Sequence, residues 1–144
     1  MGSVSAVDLQ DQIAQGLVDA MPEPWERIVV NLEMEKTAEG RVLDYQYFYI
    51  APSTDGDFKS ESDIRLPEEV RKQFIALNDA IFESAGDRWG ICDLIIDNST
   101  GKYDFEYKYE PPKRLNDIFD DSSMGRFNDY LDTFRAERAA QKSP

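Results

Sequence analysis

Carboxylates are the reactive groups this chain has in greatest supply. They come in close pairs: Asp55 with Asp57, Glu68 with Glu69, Asp120 with Asp121, and Asp104 with Glu106 on one side of an extended segment. Two acids that converge in a cleft can divide the roles of general acid and base, or hold a hard cation through oxygen. Other chemistry is closed off. The chain has no histidine and one cysteine, Cys92, which removes Ser-His and Cys-His nucleophile pairs, the commonest general base, and zinc sites built on imidazole or a thiolate cluster. No phosphate-binding loop, dinucleotide glycine fingerprint or nucleophile elbow occurs, and "DGDF" lacks the twelve-residue spacing of a calcium loop. With 29 acids in 144 residues, close pairs arise by chance. No catalytic, metal-binding or cofactor-binding residue is therefore assigned, and the chain is not expected to be an enzyme.

The same acids matter collectively. Against 16 basic residues they leave a net charge of -13. That field repels nucleic acid and anionic membrane and draws basic partners inward. No apolar run approaches the roughly 20 residues needed to span a bilayer. "MGSVSAVDLQ" has neither the basic nor the apolar region of a secretory signal, and a single cysteine suits a reducing compartment. A cytoplasmic protein with no membrane or direct nucleic-acid partner is expected.

The elements that would position these groups follow from periodicity. Leu9, Ile13, Leu17 and Met21 recur at helical spacing after Ser5, a capping residue, and Pro22 stops the run. "RIVVNLEME" and "VLDYQYFYIA" alternate as strands across the turn at Gly40, making an antiparallel hairpin. A polar loop follows, carrying Asp55, Asp57, Glu61 and Asp63. Pro67 opens a second helix with Val70, Phe74, Leu77 and Ile81 on its buried stripe and Gly86 as its stop. "WGICDLIID" and "KYDFEYKYE" form a second hairpin around "DNSTGK". Ser122 or Ser123 can cap a last helix bearing Phe127, Tyr130, Leu131 and Phe134, with residues 1–4 and 136–144 fraying. The order α-β-β-α-β-β-α predicts a single α+β domain over 1–144, an antiparallel sheet of about four strands with helices on one face.

The row Tyr103, Phe105, Tyr107 and Tyr109 is the one pattern suggestive of a base-stacking platform. Such platforms are surrounded by Lys and Arg, whereas here Asp104, Glu106 and Glu110 interleave with Lys108. Tyr103, Phe105 and Tyr107 are expected to face the helices, leaving Asp104 and Glu106 on the opposite side. Trp25, Trp89 and Cys92 are expected in the core.

The stretches "AMPEPWERIVVNLEME", "YQYFYI", "LPEEVRKQFIALNDAIFE" and "LIIDNSTGKYDFEYKYEPP" occur in an order that resembles the YezG-like family of immunity proteins, antitoxins of bacterial polymorphic and contact-dependent toxin systems. The resemblance spans about Ile13 to Tyr109. The segment 111–144 looks like an elaboration of its own. It implies a non-enzymatic inhibitor that binds the toxin domain of its own lineage, commonly a nuclease, and it carries over no catalytic or ligand residues.

A nuclease grips phosphates with Lys and Arg, which an acidic inhibitor complements. Two acidic surfaces compete for that role. One joins Asp44, Asp104 and Glu106 with the loop acids Asp55, Asp57, Glu61 and Asp63. The other is "NDIFDDSS", where Ile118 and Phe119 sit among Asp117, Asp120 and Asp121. The competing functional classes are a carboxylate-dependent hydrolase and an acidic nucleic-acid mimic that regulates a DNA-binding protein.

Overall fold

Ser5 caps the first helix, α1 (Ala6–Ala20), its hydroxyl accepting the Asp8 N–H at 3.1 Å. The computed structural model describes residues 5–62, 65–118 and 130–142; Asp63, Phe119, Asp120, Asp121, Ser122, Ser123 and Phe127 fall outside them. Leu9, Ile13, Ala14 and Leu17 are the buried stripe of α1. Helix α2 (Glu68–Ala85) follows Pro67 and ends at Gly86, whose φ of 81° is the left-handed stop that glycine adopts without penalty. The two helices pack closely because Gly16 has no side chain: a Cβ there would lie 2.8 Å from Val70 Cγ2.

Both helices lie on a five-stranded antiparallel sheet of order β3-β2-β1-β4-β5. Its strands are β1 (Arg27–Thr37), β2 (Gly40–Pro52), β3 (Phe58–Glu61), β4 (Ile91–Asp97) and β5 (Tyr103–Lys108). The register puts Val30 between Tyr47 and Leu94, and Asn31 between Gln46 and Asp93. Since successive side chains alternate, Ile28, Val30, Leu32, Met34, Cys92, Leu94 and Ile96 bury against the helices, together with Trp25 and Trp89. Tyr103, Phe105 and Tyr107 pack on this core as expected. Their hydroxyls find partners at the rim, Tyr107 accepting from Gln10 at 2.5 Å and Tyr103 donating to Asp11.

The α+β architecture and the antiparallel sheet are those read from the sequence, with two differences. The sheet has five strands, because part of the polar loop, Phe58–Glu61, pairs with β2 from Pro52 back to Tyr49. The last helix, α3 (Tyr130–Lys142), lies across the other face of the sheet, not beside α1 and α2. There Tyr130 and Phe134 bury with Val29, Phe48 and Ile50. Phe58 meets Phe134 edge-on at 4.9 Å, which draws β3 and α3 together. Helix α3 runs through Lys142. Glu137 binds Arg27 at 2.8 Å and Arg138 binds Glu26 at 3.1 Å, which fastens that stretch to the sheet. Among the described residues no helix is long and apolar enough to cross a membrane.

Candidate functional site

The second face of the sheet divides by chemistry. At one end it is apolar and lies under α3. Further along, alternation brings polar side chains up instead: Asn31 and Glu33 from β1, Asp44 from β2, Asp93 from β4, and Asp104 and Glu106 from β5. Asn31, Glu33 and Asp93 are buried. Removing carboxylates from water costs several kcal/mol per ion unless a counter-charge and hydrogen bonds are supplied.

Arg114 supplies them. It sits on a 3-10 turn, Arg114–Asn116, that follows Pro111 and Pro112 and rests on β1 and β2. Its Nη1 donates to Asn31 Oδ1 at 2.6 Å and lies 3.4 Å from Glu33 Oε2, while its Nε donates to Asp44 Oδ2 at 2.8 Å. Asn31 Nδ2 in turn donates to Asp93 Oδ1 at 2.6 Å, and Lys108 Nζ stands 3.9 Å from the other Asp93 oxygen. The Leu115 N–H adds a bond to Glu33 Oε1 at 3.1 Å. One arginine thus ties two strands to the turn directly and reaches a third, β4, through Asn31. Past it, Asp117 takes a left-handed conformation (φ 62°) that aspartate tolerates better than most residues, and Ile118 stands exposed.

The sequence-derived surface acids are therefore not one patch. Asp44 is half-buried and engaged by Arg114, so it serves the fold as well as the surface. Asp55, Asp57 and Glu61 lie by β3, at one edge of the sheet, and Asp104 and Glu106 on β5, at the other. The loop acids are also locally committed. Asp55 accepts the Asp57 N–H at 3.0 Å, which with the Ser53 hydroxyl holds its carboxyl below the usual range. Asp57 pairs with Arg135 at 3.0 Å and Glu61 with Lys59 at 3.3 Å. Asp104 and Glu106 are exposed. In the second candidate surface, Ile118 does not cap the core and Asp117 is exposed beside it.

Sequence reading missed Arg114, Asn31, Glu33 and Asp93 as a unit. The signal available was a row of polar residues at alternate positions of a central strand, which asks for a cation from elsewhere in the chain. It also missed an open groove of about 420 Å³ between the end of β1 and the segment after β5, lined by Met34, Glu35, Trp89, Gly90, Tyr109 and Glu110 among others. Among the described residues no group of three His, Cys, Asp or Glu side chains is placed to hold a metal ion.

The sequence matches no protein-family model and no curated protein.

Proposed function

We propose that this chain is an immunity protein: it binds a basic toxin domain, a nuclease, in the cytoplasm of the cell that makes both, and covers the surface with which the toxin would grip phosphates. One observation carries the reading. Among the described residues every arginine except Arg65 is spent on an acid of the same chain, from Arg27 with Asp97 to Arg138 with Glu26. Exposed carboxylates such as Glu39, Glu69, Glu83 and Asp104 have no ion pair among the described residues. The chain carries a surplus of 13 negative charges, and these described, unpaired carboxylates face outward, where they complement a cationic partner and speed encounter with it. The resemblance of "MPEPWERI" and the last hairpin to antitoxin sequences points the same way.

The test is co-expression with the toxin domain encoded beside this gene. Cells carrying both survive, and the purified pair forms a one-to-one complex. Its association rate falls by about tenfold or more as salt rises from about 50 to 500 mM. No complex, no protection, or an association indifferent to salt overturns the proposal.

A further inference from the structure

We propose that the groove between β1 and the segment after β5 is where the partner docks, and that it receives an arginine side chain. The partner's identity rests on the immunity reading; the arginine site rests on the groove itself.

The groove has a rigid wall. The Gly90 N–H donates to Lys108 O at 3.0 Å, and Gly90 O accepts the Met34 N–H at 3.0 Å, so its backbone is stitched into both sides. Chain 110–112 then presses so close that a Cβ on Gly90 would lie 2.5 Å from Glu110 O and 3.0 Å from Pro112 Cδ. A site held this tightly loses little entropy on binding.

Its chemistry suits a guanidinium. Tyr109 is the one aromatic of the last-strand row outside the core, 50% exposed on the groove's rim. Glu35 and Glu110 bring two carboxylates that have no ion pair among the described residues. The nearby Arg88 is taken by Asp79 at 2.7 Å and Asn78 at 2.5 Å, which leaves Lys36 as the opposing charge. Trp89 lines the groove too, and its buried indole N–H has no acceptor among the described residues, a need that a backbone carbonyl beside the incoming arginine can meet and the donor-only guanidinium cannot. A guanidinium is planar and weakly hydrated: it can lie on the Tyr109 ring while its N–H groups fork onto a carboxylate. An ammonium can do only the second. Val42, 46% exposed, pairs with Glu35 in the β1–β2 register and adds apolar surface beside that carboxylate. The strand face with Asp104 and Glu106 carries charge, and hot spots favour anchors in pockets over rim charge.

The experiment titrates the 15N-labelled full chain with an acetylated, amidated Gly-Arg-Gly-Arg-Gly peptide and with its lysine counterpart, followed by NMR. The Trp89 indole and Gly90 amide signals move to saturation, and the lysine peptide binds about threefold or more weaker. Tyr109→Ala with Glu110→Gln weakens the arginine peptide about fivefold or more, while Asp104→Asn with Glu106→Gln changes it less than about twofold. Shifts centred on Asp104 and Glu106, equal affinity for both peptides, or no saturable binding overturns the arginine site. A toxin neutralised equally well by the Tyr109/Glu110 variant would remove the groove as docking point and leave the immunity reading standing. Saturable peptide binding at the groove beside a toxin that is neither bound nor neutralised would do the reverse.

Discussion

Arg114 and Glu33 meet at 3.4 Å with side chains 3% and 1% exposed, the most deeply buried ion pair among the described residues. Glu33 lies mid-sheet on β1 and Arg114 on a turn that enters from beyond β5, so this contact decides where the chain goes after the last strand. Breaking a buried pair from one side leaves the other charge stranded, which is worse than never having built it.

Arg114→Ala is therefore expected to destabilise the protein by about 3–5 kcal/mol in urea unfolding. Glu33→Gln in the same background should recover part of that loss, because the stranded charge is gone. A double variant whose loss equals the sum of the two single losses would show that the pair is not coupled.

Gly90→Ala tests how tightly the segment after β5 is clamped. The added methyl meets backbone, Glu110 O at 2.5 Å, which cannot rotate away. A loss of about 1–3 kcal/mol is expected, as for other overpacking, with faster amide exchange through 110–118. A stability matching wild type would mean the segment gives way freely.

Much of this arrangement was legible beforehand, and the gaps have physical causes. Helices α1 and α2 announce themselves through Ser5, Pro67, Gly86 and four-residue apolar spacing, and the long hairpins through strict alternation. Strand β3 stayed hidden because Phe58 is its single apolar residue; pairing with β2 and the Phe134 contact make it a strand. The role of Arg114 was hidden because arginine is ordinarily a surface residue, and nothing local says that three polar side chains distant in sequence, Asn31, Glu33 and Asp44, converge on it. The site acids could be named but not gathered, since strand order placed the loop acids and the β5 acids at opposite edges.

Helix α3 is expected to hold its place through Phe134. That ring is fully buried, edge-on to Phe58, with the Arg27 and Arg138 guanidinium groups 5.0 and 4.9 Å from its centroid. Phe134→Ala should cost about 3–5 kcal/mol and release Tyr130 and β3 together, seen as loss of amide protection in 58–61. Protection unchanged in β3 would separate the two elements.

The pH profile should be flat where most proteins titrate and steep in alkali. With no histidine in the chain, no imidazole step is expected between about pH 6 and 8. The tyrosines behave differently. Burial, helped by the neighbouring Tyr49 and Tyr45, pushes Tyr47 up to about 12, and the hydrogen bond to Asp11 pushes Tyr103 up to about 12. A folded-state value above the unfolded one means that the native protein holds the proton while the unfolded chain releases it. The stabilisation is complete below the ordinary value of 10 and is lost as pH rises toward 12. Tyr47 is 5% exposed, so little solvent screening applies, and its share is about 2–3 kcal/mol. Tyr47→Phe, which keeps the ring and removes the ionising group, should lose less stability than wild type from about pH 9.5 to 11.5, the remaining fall belonging to Tyr103 and to Tyr107, which burial also pushes up. If the variant and the wild type lose stability in parallel across that window, the alkaline step belongs to another group.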